Sequence, residues 1–161
     1  MTKQTWLMAL GLLAAAPLWA ADGNAALAAK SEAAFGKNKD QSFDALALKH
    51  AVGAPRTETM TVTLAPGKGV EVKVDLDAGQ GLVFQWTASA EVAVDFHGET
   101  PESKKEYTSF DVEAAQRQAA GTFVAPFAGH HGWYWKNRGQ QPVTVTVTVT
   151  GFQKRLFRPG H

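Results

Sequence analysis

The chain contains five histidines, and two of its segments set histidine beside carboxylates or aromatic rings. In Asp95-Phe-His-Gly-Glu99, His97 lies two residues from each of two carboxylates. In Gly129-His-His-Gly-Trp-Tyr-Trp-Lys-Asn137, His130 and His131 run into three aromatic rings. Imidazole nitrogen and carboxylate oxygen are the donors that suit Zn²⁺ or Cu²⁺. His97, Asp95 and Glu99, joined by His130 or His131, are therefore a candidate metal set, and Zn or Cu is the one cofactor these residues suggest. No His-x-His or HExxH pair is present, so such a set needs two separate strands to converge. The bland alternative is that these side chains satisfy loop backbone at one rim of the fold.

Other chemistries have less behind them. The chain has no cysteine, which removes thiolate ligands, thiol catalysis and disulfides together. There is no GxSxG, no phosphate loop and no evident carboxylate pair, and its serines Ser31, Ser42, Ser89, Ser103 and Ser109 fall mostly in linking segments. Asp95 and Glu99 beside His97 could do acid–base work, but nothing requires it. Trp86, Trp133, Trp135 and Tyr134 could form a stacking platform for sugar rings, although tryptophans that alternate along a strand more often fill a core. Tyr107 and Tyr134 are the aromatics expected at the surface, and with His97 and Glu99 they are the candidate contacts for a ligand or partner. The basic segment Gln153-Lys-Arg-Leu-Phe-Arg158 reads as a solvated tail.

Strands must position these groups. Val143, Val145, Val147 and Val149 alternate with threonines, the period of a half-buried strand. The segment 129–137 lies just before it, across Asn137-Arg-Gly-Gln-Gln-Pro142, and the two are expected to form a hairpin. The period of two puts His131, Trp133 and Trp135 on one side and His130, Tyr134 and Lys136 on the other. The tryptophans mark the inner side, which makes His131 a core ring bonded to backbone. Further strands are read at Met60–Leu64, Val70–Leu76, Leu82–Trp86, Val92–Phe96 and around Phe123, separated by Pro66-Gly-Lys-Gly69 and Asp77-Ala-Gly-Gln-Gly81. The segment 101–120 reads as a mobile connection, since Asp111 to Ala120 has helix-forming residue types while Tyr107 and Phe110 suggest extended chain. Seven or eight short strands with turns every ten residues or so predict an all-β, antiparallel β-sandwich of jelly-roll or immunoglobulin-like type over 57–158.

Residues 1–21 read as a signal peptide. Lys3 is the charged start, Trp6 to Ala16 the apolar core, and a cut is expected after Ala20 or Ala21. Residues 22–56 read as an alanine- and lysine-rich linker with a short helix from about Ser42 to Ala51. The chain has sixteen basic and fifteen acidic residues, so loss of Lys3 with the leader leaves fifteen of each sign. That balance steers the protein to neither nucleic acid nor anionic lipid. Export to the periplasm or beyond is expected, without stable membrane insertion after the leader is cut.

Asp95-Phe-His-Gly-Glu99, Gly121-Thr-Phe-Val-Ala-Pro-Phe-Ala-Gly129 and His131-Gly-Trp-Tyr-Trp-Lys-Asn137 resemble the GOLD (Golgi dynamics) domain, and more closely bacterial envelope proteins labelled transmembrane anchor proteins. The resemblance implies a β-sandwich with a habit of interaction and names no catalytic residue. The cysteine pair that commonly braces such domains is absent here, where Phe84 and Tyr134 lie near the matching positions. The function expected is an exported, non-catalytic binding or protein-interaction module of the periplasm or cell envelope. Its partner would be an envelope protein or a small ligand. A small metal-binding protein and a carbohydrate-binding module are the competing readings.

Overall fold

A computed structural model describes residues 18–37, 40–103 and 106–160. The predicted leader, apart from its last few residues, lies outside them. Two compact units divide the chain, 1–50 and 51–161.

In the first unit, α1 spans Leu18–Phe35. Its alanines and lysine are good helix formers, and Gly36, at φ 80°, ends it by donating its N–H to Glu32 O at 2.9 Å. The helix predicted over Ser42–Ala51 is absent, and a turn stands there instead. The cause is side-chain competition for backbone donors: Asp44 Oδ1 accepts from Leu46 N at 3.1 Å, and Asn24 Oδ1 accepts from Ala45 N at 2.7 Å. Much of the segment read as linker is thus helical, with the helix earlier than expected. Among the described residues, no helix is long and apolar enough to cross a membrane.

The second unit is all β and antiparallel. Its strands are β1 (Arg56–Leu64), β2 (Gly69–Leu76), β3 (Gly81–Glu99), β4 (Thr108–Val124), β5 (Gly129–Lys136), β6 (Val143–Gly151) and β7 (Leu156–Phe157). They follow the order β1-β6-β3-β5-β2-β7, with β4 also on β3. The first half of β3, Leu82 to Ala88, pairs with β6, and the second half, Ala93 to Glu99, pairs with β5. β3 therefore passes from one layer of a sandwich to the other, and β4 runs beside it in both.

Three expectations are corrected here. The strands read at Leu82–Trp86 and Val92–Phe96 are one strand, nineteen residues long. The segment 101–120 holds most of β4, whose helix-forming residues are drawn into extended chain by pairing with β3 across register shifts near Val92 and His97. Those bulges reset the alternation, which is why β4 carries no clean period of two. Finally, β5 and β6 are not a hairpin: β5 lies between β2 and β3, and β6 between β1 and β3. The turn between them arches from layer to layer around buried Asn137. Its Nδ2 donates to Leu64 O at 3.1 Å and Gln141 O at 2.7 Å, and its Oδ1 accepts from Gly139 N at 2.8 Å.

Between the layers lie the valines of β2 and β6 and three buried indoles, Trp86, Trp133 and Trp135. The rings of Trp133 and Trp135 stack at 5.8 Å with 4° between their planes, and Trp86 meets Trp135 edge-on at 5.7 Å. On the outer side of β1 and β6, Thr57 faces Thr150, Thr59 faces Thr148 and Thr61 faces Thr146, with each pair of hydroxyls bonded at 2.9 to 3.0 Å.

Asn137→Ala is expected to leave the buried Leu64 carbonyl and the part-buried Gln141 carbonyl without this donor and to cost about 1–3 kcal/mol. Urea denaturation measures this; a change near zero would mean that the arch does not depend on the side chain.

Candidate functional site

The outer side of β2, β5 and β3 gathers most of the residues singled out from the sequence. Register places them in three rows across the strands: Glu71, Tyr134 and Asp95; Lys73, Gly132 and His97; Asp75, His130 and Glu99. The alternation of each strand sends its valines and rings inward and leaves these groups outside.

Gly132 decides the middle row. It lacks a side chain between Lys73 and His97, and a Cβ there would run into the Val72 carbonyl oxygen and the Lys73 Cα. Across that gap Lys73 and His97 meet. Lys73 has no exposed surface, and His97 is also buried. The His97 Nε2 lies 2.6 Å from Lys73 Nζ, from which it accepts when it carries no proton. It also lies 3.0 Å from Glu71 Oε1, to which it donates when it does. Lys73 Nζ stands 3.1 Å from the same carboxylate oxygen. The hydrogen bond from His97, followed by the charge and hydrogen bond of Lys73, holds Glu71 below the usual carboxylate range although its burial acts in the opposite sense. On the far side of the ring, His97 Nδ1 lies 3.3 Å from the Asp95 carbonyl oxygen.

His97 is consequently a buried member of a charge cluster and not a rim residue. Both of its ring nitrogens are engaged, Nε2 by Lys73 and Glu71 and Nδ1 by the Asp95 carbonyl oxygen.

The third row is tied to β7. His130 Nδ1 bonds the Asp75 carboxylate, whose second oxygen accepts from Arg155 Nε at 2.5 Å. The Arg155 guanidinium lies 4.1 Å from the centre of the Phe157 ring, and that ring meets His130 at 5.4 Å. Glu99 is half-buried opposite His130. Tyr107 rests on His97 with ring centres 4.9 Å apart and stays 60% exposed. Tyr134 lies across Gly69, where a Cβ would strike its hydroxyl, and is 38% exposed.

His131 belongs to the opposite side of β5. It is fully buried among Phe110, Phe123 and Phe127, its Nε2–H donates to Phe127 O at 2.9 Å, and Gly98 leaves the space for its ring. The sheet itself separates it from His97 and His130. His131 is thereby removed from the proposed metal set, whose other members Asp95, His97, Glu99 and His130 share the outer side, and among the described residues no three His, Asp or Glu side chains are grouped to hold a metal ion. Trp86, Trp133 and Trp135 are buried and offer no ring face to a sugar.

The sequence reading missed Lys73, Glu71, Asp75, Arg155 and Phe157. A glycine inside a strand, at Gly132, was the available signal for close approach.

No family model matches the chain, and no curated protein sequence matches it. Solved structures with a similar strand arrangement include a Yersinia pseudotuberculosis-derived mitogen, at 12% identity and TM-score 0.44 over 63% of this chain and 91% of that one. PliG of Aeromonas hydrophila, a periplasmic inhibitor of g-type lysozyme, matches at 13% identity and TM-score 0.42 over 65% and 93%. A CBM4 structure matches at 16% and 0.34 over 62% and 83%. At these values the likeness says nothing of ligand or activity.

Burial gives His131 a pH signature. Desolvation lowers its pKa below 6.5, against the hydrogen bond to Phe127, which raises it, while the charges of Lys73 and His130 lower it further. The unfolded chain then binds the proton more readily, so stability is fully present above about pH 6.5 and is lost as pH falls toward the folded value. The melting temperature should drop between pH 7 and 5, and His131→Phe should flatten that slope whatever its own stability. An equal slope in the variant would show that another group titrates.

Proposed function

We propose that this chain is an exported, non-catalytic interaction module of the periplasm or cell envelope, built on a GOLD-like sandwich, whose partner, an envelope protein, sits on the outer side of β2, β5 and β3. One observation carries the reading: His97, Glu71 and Asp75 are already committed to neighbouring side chains or backbone, while two tyrosines stand exposed beside them. His97 has both nitrogens occupied, Glu71 faces two cationic or donor groups, and Asp75 is held by His130 and Arg155. Tyr107 and Tyr134 offer rigid rings with a polar end, the side chains that protein interfaces use at low entropic cost. Glu99 and the Arg155–Phe157 pair add charge and a further ring.

The short apolar run before Pro17 and the small residues after it support export. Intact mass of the exported protein should then begin at Ala21 or Asp22, and recovery of an uncut membrane-bound form would overturn export by cleavage. The interaction is tested by placing a photo-crosslinking amino acid at position 107 or 134 in cells. Both should give the same discrete adduct, which position 148 on the opposite layer should not. Absence of an adduct from both, or the same adduct from all three, overturns the assignment of this surface.

A further inference from the structure

The threonines of β1 and β6 form a second surface, unrelated to the polar one. Thr57, Thr59, Thr61 and Thr63 occupy every outward position of β1 from 57 to 63, and Thr144, Thr146, Thr148 and Thr150 every outward position of β6 from 144 to 150. The two sets are in register, threonine opposite threonine, and three of the pairs share a hydroxyl–hydroxyl hydrogen bond. Register continues the rows onto β3, where Val83, Gln85 and Thr87 follow, and onto β4, where Thr122, Ala120 and Gln118 follow. Not one of these side chains is charged or aromatic.

The geometry is a grid. Neighbouring strands stand about 4.8 Å apart and outward residues along a strand repeat at about 6.8 Å. Each node on β1 and β6 bears a methyl and a hydroxyl. The cross-strand hydrogen bonds fix the rotamers of three pairs and leave each hydroxyl a free lone pair or proton, so the grid is ordered before anything binds it.

Strand propensity accounts for threonine on an exposed strand. It does not account for the exclusion of Lys, Glu and Arg from eight consecutive outward positions on two strands, one of them, β1, at the end of the sheet order, whose own charges, Arg56 and Glu58, lie on its other side.

We propose that this surface binds ice, the ordered oxygen lattice of frozen water. The alternatives fit it less well. An ionic ligand or a nucleic acid needs charge, and the rows have none. A sugar chain is held by stacking on rings, and the rows have none. A protein partner is anchored by Trp, Tyr or Arg, also missing. A second copy of this chain would gain roughly 450 Å² on each side from fourteen outward positions of about 33 Å² each, little more than half of what a stable interface buries per partner. Ice asks for what is present: uncharged hydroxyls that accept and donate at a regular two-dimensional repeat, and methyls that cage water between them. A charged side chain imposes its own hydration shell and breaks such a match. The twist of a sandwich sheet limits the match to a few rows, which is the extent of the grid.

The test uses the purified full chain in assays of thermal hysteresis and ice recrystallisation. Wild type is expected to shape ice crystals and to restrain their growth beyond the colligative effect of a control protein. Thr148→Lys is expected to abolish that activity, and Thr59→Lys, at a more exposed position, to do the same if the first variant folds poorly by near-ultraviolet circular dichroism. Lys136→Ala, at an exposed position of β5 on the other layer, is expected to keep it in full. No effect of the wild type on ice, or an effect that survives both lysine variants, overturns the proposal. So does a concentration-dependent dimer, or retention on an insoluble polysaccharide, that Thr148→Lys removes, since the surface would then belong to that occupant.

Discussion

The architecture depends on β3 remaining a single strand. Its nineteen residues hydrogen-bond to β6 over one half and to β5 over the other, so the two layers are joined by continuous backbone and not by side-chain contact alone. A strand that long would diverge from its partners if it stayed regular, because twist accumulates with length. The bulges between Thr87 and His97 release that twist and turn the strand from one layer into the next. Trp86 lies before the bend and Phe96 after it, which brings both within reach of the stacked indoles of β5.

The same bend sets the two outer surfaces apart. Before it, β3 lies among threonines; beyond it, β3 presents Asp95, His97 and Glu99 to β5 and β2. On this second surface the physical difficulty is Lys73. A buried ammonium has lost its water and is tolerable only with partners at hydrogen-bond distance. Glu71 and His97 are those partners, and they reach it because Gly132 leaves the space between. Removing Glu71 would strand the ammonium, so the cluster constrains its own members as firmly as any apolar contact does. A side chain so engaged is a poor acid, base or ligand, which gives the middle of this surface, Glu71, Lys73 and His97, its character of charge already matched.

Much of this was legible beforehand. The alternation in β1, β2, β5 and β6 is unbroken, and it placed His131 with Trp133 and Trp135 on the inner side, where they lie. The all-β sandwich followed from the number of such segments. What could not be read was pairing. Asn137 to Pro142 has turn chemistry that suits a hairpin and an arch alike, and the choice rests on buried bonds from Asn137 to Leu64 O, seventy-three residues away in sequence. β4 was hidden because its bulges break the period and its Asp111 to Ala120 stretch carries helix-forming residues, a local preference that pairing with β3 overrides. His97 was read at a rim because nothing in its own segment shows that Lys73 lies across a glycine from it.

The stacked tryptophans have a consequence outside stability. Rings 5.8 Å apart and nearly parallel, with a third set edge-on, couple their electronic transitions. Trp133 and Trp135 both sit on β5, whereas Trp86 sits on the first half of β3, so the edge-on part of the coupling exists only while that half of the long strand lies over β5. The cluster is an optical gauge built into the joint between the layers: the contribution of Trp86 to its exciton signal would be lost when that joint opens, even if each layer kept its own hydrogen bonds.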